Sequence, residues 1–386
     1  MDAASRRNLS RLLKQAGEKP VTVFTDLDMT SCVEKNADYA AENKAETGKD
    51  GCYMQPDIRR ALMALPETGG AYFIVTGRHW ADARVNDVTG EKMPDGAFHD
   101  LLGGVKEFEN ASAVAGHGRL VVENGQTRVL RRAATPEDAL KEQKFERYVG
   151  EGVLALKQEI FKRWPESRGK ILAEYKKHLS YLNLAEFIKE SPDKGKEMFD
   201  FVDTRMKRIM SGRNPDGSKN EAAPENPNGA LFYTVEPTGS MEIRSRNQSK
   251  RNGVEQSGFL DRAFEKGGPV LVLGDSLAKN GTDRDMVEAV RDYFESKGAA
   301  DRVFVVHVMN GEKNRVTDKS DKCFPTIAVK DPDELGRVLK MTVGQTRARA
   351  EKQASAVAQT VLSARRNRSK RFFKKSPLVF IRGAFI

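Results

Sequence analysis

Cysteine is scarce in this chain, with three in 386 residues (Cys32, Cys52 and Cys323), widely spaced and without a CxxC pair. An odd, scattered set excludes a disulfide framework, and the absence of Cys/His clustering argues against a structural zinc site. Long apolar runs are missing too. No stretch of about 18 consecutive apolar residues offers a membrane span. The N-terminal MDAASRRNLSRLLKQAGEK has no apolar core of the kind a secretory signal needs, so a soluble, cytoplasmic protein is expected. With 39% hydrophobic residues, the chain can nevertheless bury a large core divided into two or three compact units.

Acid is nearly absent from one region. From Met341 onward there are eleven Lys/Arg and one acid, Glu351, which accounts for the whole net charge of +10. The preceding residues are balanced. A basic terminus of this kind points to weak contact with an anionic membrane or a polyanion, or to a solvated tail.

Short β-branched runs, the first three followed by Asp, Thr and Gly, read as buried strands of a parallel sheet: Val21–Thr25, Ala71–Val75, Val270–Leu273, Val303–Val308 and Thr326–Val329. Helical periods over Asp57–Leu65, Arg284–Lys297 and Asp333–Leu339 lie between them, which predicts an α/β unit built from both ends of the chain. Between the two halves, a stretch rich in Lys and Glu is helical in period over Ala139–Trp164 and Asp193–Met210. It reads as an insertion. Residues Ser211–Ala230, dense in Asn, Gly, Pro and Ser, are expected to form a long flexible loop. The expected units are therefore 1–136 with 233–343 as a discontinuous core, 137–232 as the insert and 344–386 as the basic tail.

Three strand ends carry chemistry. In VTVFTDLDMT a strand delivers Asp26 and Asp28, followed by Thr30, to the edge where open α/β sheets place their sites. One carboxylate can act as nucleophile while its neighbour protonates a leaving oxygen and later activates water. Taken alone, the same DxD is also an acidic turn. In AYFIVTGRHW, Thr76 and Gly77 offer a hydroxyl and backbone N–H groups to a phosphoryl oxygen, with Arg78 adding charge, although Thr is also a common helix cap. In PVLVLGDSLAKNGTDRD, Asp275 can complete a hard, oxygen-only Mg²⁺ site with Asp26. Upstream, Lys250 can neutralise Asp26 and a bound phosphate.

The order DxDxT, strand-Thr-Gly-Arg, then Lys and strand-Gly-Asp, with an insertion after the second motif, resembles the haloacid dehalogenase superfamily. That resemblance implies a Rossmann-like core with an inserted α+β type 2 cap, an aspartyl-phosphate on Asp26, acid/base work by Asp28, phosphate contacts from Thr76 and Lys250, and Mg²⁺ held by Asp26, Asp28 and Asp275. Three further segments are similar to the trehalose-6-phosphate phosphatase family: Ala115-Gly116-His117-Gly118, the pair Glu174 and Lys176 in ILAEYKKHLSYLNL, and Glu242 in GSMEIRSRNQSKRNG. By that similarity Arg78, His117, Glu174, Lys176 and Glu242 are substrate contacts. Carboxylate and ammonium groups suit a ring of hydroxyls, since both form charge-assisted hydrogen bonds.

The chain departs from that family in two places. Its histidine and arginine after the Glu-x-Lys pair are replaced near Asn183 and Ala185. Its acid-rich Gly-Asp-Asp reads Gly274-Asp275-Ser276, with an added stretch before Thr282-Asp283-Arg284-Asp285, so the second metal acid is assigned to Asp283. The stretch Glu91–Glu109 reads as an added segment. The leading expectation is hydrolysis of trehalose-6-phosphate, beside phosphatases of sucrose phosphate or a glycosyl phosphoglycerate and a non-catalytic binding protein on the same fold. No nucleic-acid partner is expected, because no recognised module interrupts the pattern.

Overall fold

The computed structural model describes residues 1–27, 30–33, 53–77, 112–116, 118, 120–124, 126–130, 135–176, 179–226, 229, 231–235, 239–245, 249–277, 281–310 and 325–375. Its largest sheet has eight strands in the order β14-β13-β12-β1-β4-β5-β6-β7. These are β1 (Thr22–Thr25), β4 (Ala71–Val75), β5 (Ser112–Ala115), β6 (Leu120–Glu123), β7 (Gln126–Val129), β12 (Val270–Gly274), β13 (Val303–Val308) and β14 (Thr326–Val329). Neighbours from β14 to β5 run parallel, and β6 and β7 complete an antiparallel edge. This is the Rossmann-like α/β class expected from the sequence.

Strand alternation explains why both faces are covered. Val23, Ile74, Leu271, Leu273 and Phe304 share one core with helices α1 (Ala3–Glu18), α2 (Pro56–Ala64) and the start of the last helix, Pro332–Lys375. Phe24, Phe73, Val272 and Val305 face a second core with helices Lys250–Ser257, Phe259–Glu265 and Thr282–Ser296. The helix α1 follows from local signals: Asp2 caps it by accepting from Ser5 N at 2.7 Å, and Leu9, Leu12 and Ala16 fall on one buried stripe.

The inserted stretch forms its own antiparallel sheet, ordered β10-β11-β9-β8. The strands are β8 (Leu172–Lys176), β9 (Leu179–Asn183), β10 (Leu231–Val235) and β11 (Ser240–Ser245). Helices Pro136–Arg163 and Pro192–Met210 cover one face, burying Phe145, Val149, Met198 and Val202 against Ala173, Leu182, Met241 and Ile243. Residues 233–235 and 240–245 therefore belong to the insert's sheet, past the boundary at 232 expected from the sequence, because β10 pairs with β11 and β11 with β9.

The segment after Met210 also differs from expectation. It is a turn-rich, hydrogen-bonded structure: Arg213 pairs with Lys219, Asp216 Oδ1 accepts from Ser218 N at 2.8 Å, and Asn226 Oδ1 accepts from Leu231 N at 3.1 Å. The Asn and Asp residues that suggested looseness instead bond nearby backbone. At the other end, no break separates core from tail. One helix runs from Pro332 to Lys375, with Val343 and Thr346 buried, so the packed region extends past the expected boundary at 343.

Candidate active site

Three adjacent strands, β12, β1 and β4, end on the same side of the sheet and deliver Asp275, Asp26 and Thr76. Parallel pairing fixes this convergence: Asp26 N donates to Leu273 O at 3.1 Å, and Thr76 N donates to Val114 O at 2.9 Å. Asp26 and Thr76 are buried, at 5% and 0% exposure. Fixed backbone and dense packing hold these groups in place.

Lys250 enters from another direction, at the first turn of the helix Lys250–Ser257, which Ser249 caps by accepting from Asn252 N at 3.1 Å. Its ammonium donates to Asp26 Oδ1 at 2.6 Å and Asp283 Oδ1 at 2.5 Å, with the lysine only 3% exposed. Burial would lower its pKa, but the Asp26 and Asp283 carboxylates outweigh that and raise it, so Lys250 stays charged. The helix can approach this closely because Gly253 lies against Gly118, where a Cβ on Gly253 would come within 2.4 Å of Gly118 Cα.

Asp283, in the first turn of Thr282–Ser296, is fully buried. While Oδ1 meets Lys250, Oδ2 accepts from the N–H groups of Asp275 and Ser276, each at 3.0 Å. Asp283 thus ties the end of β12 to the first turn of the helix Thr282–Ser296. Thr30 donates its hydroxyl to Asp275 Oδ1 at 3.1 Å, and a ring nitrogen of His307 lies 3.2 Å from Asp275 O. Burial, and then the neighbouring Asp283 carboxylate, push Asp275 up to about 7.

The carboxylates of Asp26, Asp275 and Asp283 offer oxygens within 4.8 Å of one another. Three carboxylates against one ammonium leave an excess of negative charge in a buried space, and the donors are all hard oxygens. Such a set fits Mg²⁺ or a similar hard divalent cation.

Asp28, Arg78 and His117 lie outside the described residues, as does the stretch Glu91–Glu109. Glu174 and Lys176 are described in their backbone, on β8. Register places Glu242 opposite Tyr181, and Tyr181 opposite Glu174, so two of the expected substrate contacts share one rung of the insert's sheet with a tyrosine between them. Asn183, near the place of the missing histidine, accepts from Ala185 N at 2.8 Å and so shapes a turn.

Sequence reasoning missed Tyr181 and His307, and did not assign Thr30 a partner. The signals were thin: a lone His inside VFVVHV and a Tyr two residues before Asn183.

No family model matches this chain, and no curated protein matches it. Solved structures do. A trehalose-6-phosphate phosphatase of Aspergillus fumigatus shares 15% identity at a TM-score of 0.42, covering 87% of this chain and 97% of that one. The C-terminal domain of a Candida albicans trehalose-6-phosphate phosphatase shares 18% at 0.48, with coverage of 87% and 97%. An IMP-bound, N-terminally truncated IMP-nucleotidase of Plasmodium falciparum shares 11% at 0.39, with coverage of 87% and 71%.

Proposed function

We propose that this chain is a magnesium-dependent phosphatase of a sugar phosphate, with trehalose-6-phosphate the foremost substrate. The observation that carries the reading is the buried constellation of Asp26, Asp275 and Asp283 around the Lys250 ammonium at the strand ends.

In this reading Asp26 attacks the phosphorus and becomes an acyl phosphate, while the bond to the sugar oxygen breaks. Asp28, two residues on, protonates that oxygen and afterwards takes a proton from the water that releases phosphate. Lys250, charged and immobile, offsets the negative charge that gathers when a phosphate meets a carboxylate. Thr76, at the end of the next strand, supplies a hydroxyl for a phosphoryl oxygen. Asp26, Asp275 and Asp283 would hold the cation, which shields the phosphate from the nucleophile's charge. Glu242 and Glu174, on the same rung as Tyr181 and one strand to either side of it, are the proposed sugar contacts. The packed, regular strand ends and the cysteine-poor sequence fit a cytoplasmic enzyme, and among the described residues no helix is long and apolar enough to cross a membrane.

A second substrate in the same class stays in view because the histidine and arginine that follow the Glu-x-Lys pair in the similar family are replaced near Asn183 and Ala185, which leaves sucrose phosphate or a glycosyl phosphoglycerate as the rival. Phosphate release from these three substrates and p-nitrophenyl phosphate, with Mg²⁺ and with EDTA, tests both readings. Trehalose-6-phosphate should be cleaved fastest, only with the cation, and not by Asp26→Asn. Turnover in EDTA, or by Asp26→Asn, would sink the mechanism; a faster sucrose or phosphoglycerate substrate would change only the specificity.

A further inference from the structure

The last helix has two unlike halves. Up to Arg349 it is docked: Leu335, Val338 and Val343 lie in the core, Thr346 is buried, and Arg349 donates to Thr68 O at 2.6 Å. From Glu351 to Ala364 every residue is exposed, and the helix continues to Lys375. Val357, Val361 and Leu362 are 65%, 48% and 60% open to water.

The helical period gathers the apolar residues toward one side, while the cations fall all round the helix. At about 100° per residue, Ala354, Val357, Ala358, Val361 and Phe372 fall on one side, together with Arg365, Arg368 and Lys375. Lys352, Gln359, Ser363, Arg366, Lys370 and Lys374 fall on the other. Before Met341 Lys/Arg and Asp/Glu balance, whereas residues 351–375 carry eight Lys/Arg against one acid, Glu351. A helix this exposed gains no stability from tertiary packing and needs a partner to be well formed.

Three occupants suit such a helix unequally. A second copy meeting along the apolar arc would put Arg365 and Arg368, which fall on that same arc, against their own likenesses. A nucleic acid would use the cations and leave Val357, Val361 and Leu362 in water. An anionic bilayer uses both faces, with apolar side chains entering the acyl boundary, cations meeting headgroups and the long stems of Arg365 and Arg368 reaching out to them. We propose that residues 351–375 are an interfacial helix that docks this protein on anionic lipid.

Flotation of the full chain with vesicles tests this, using phosphatidylcholine alone and phosphatidylcholine with about a third phosphatidylserine, at low and physiological salt. Binding should need the anionic lipid and weaken with salt. Arg366→Ala, Lys370→Ala and Lys374→Ala together should weaken it on the order of a hundredfold. Val357→Ser with Val361→Ser, which remove apolar surface without changing charge, should also weaken it about tenfold while leaving affinity for a DNA duplex unchanged. All five positions are in the undocked half, and helical content by circular dichroism checks that the fold is kept. The proposal falls if vesicles do not bind at low salt, or if the apolar variant binds them as well as the parent. It falls equally if duplex or single-stranded nucleic acid binds and vesicles do not, or if Val357→Ser with Val361→Ser abolishes a dimer and no lipid binding is found.

Discussion

Lys250 and Asp26, 224 positions apart in sequence, meet at 2.6 Å in a space closed to solvent. Removing the ammonium strands the carboxylates of Asp26 and Asp283 without a counter-charge, and breaking a buried pair from one side costs about 3–5 kcal/mol. Lys250→Met should therefore lower stability by roughly that amount. Millimolar Mg²⁺ should restore part of it by supplying positive charge to the same oxygens. Urea unfolding with and without the cation reads both effects; a loss that Mg²⁺ leaves untouched would show that these carboxylates do not share a cation.

A second prediction concerns pH. Folded Asp275 keeps its proton up to about 7, whereas the carboxyl of an unfolded chain loses it near 3.8. Between those values the folded state binds more protons than the unfolded one, so stability of the metal-free protein should fall as pH rises through the window. Asp275→Asn, which cannot ionise, should be more stable than the parent at pH 8 by on the order of 1–3 kcal/mol, and no more stable at pH 4. The same variant should gain nothing from Mg²⁺. Thermal melts of both proteins at the two pH values decide it, and equal melting at pH 8 would refute the buried charge.

The rung of Glu242, Tyr181 and Glu174 predicts a division between substrates. Glu242→Ala and Tyr181→Ala should raise KM for the sugar phosphate at least tenfold and leave p-nitrophenyl phosphate nearly unaffected. Sugar contacts act only when the sugar is present. Equal changes on both substrates would place these residues outside the sugar site.

The docked half of the last helix predicts where the chain tolerates shortening. Ending it after Ala350 should change stability by less than about 0.5 kcal/mol, since every described side chain beyond is exposed. Ending it after Val343 removes buried Thr346 and the Arg349 bond to Thr68 O, and should cost about 1–3 kcal/mol. Melting temperatures of the two truncations give the comparison.

How legible each part was in the sequence follows from how local its cause is. Val270–Gly274 and Val303–Val308 are recognisable because strands covered on both faces must be apolar throughout. Asp26 and Asp275 follow from them, since a parallel strand of this kind ends at a site. Asp283 was reachable only through a family resemblance, because its place beside Lys250 depends on packing that the local sequence does not dictate. Tyr181 and His307 depend on register and neighbouring strands, which no local period encodes. The insert's boundary near 233 was misplaced for the same reason: Leu231–Val235 looks alike whichever sheet it joins.

The central position of β1 has a consequence for how the protein is made. Thr22–Thr25 pairs on one side with Ala71–Ile74 and on the other with Val270–Leu273, about 250 residues later. During synthesis the strand bearing Asp26 spends tens of seconds with one edge unpaired, a template for wrong partners. Such distant pairing gives a high contact order and slow closure. Nascent chains stalled before residue 270 should accordingly be held by chaperones, and release should coincide with emergence of β12.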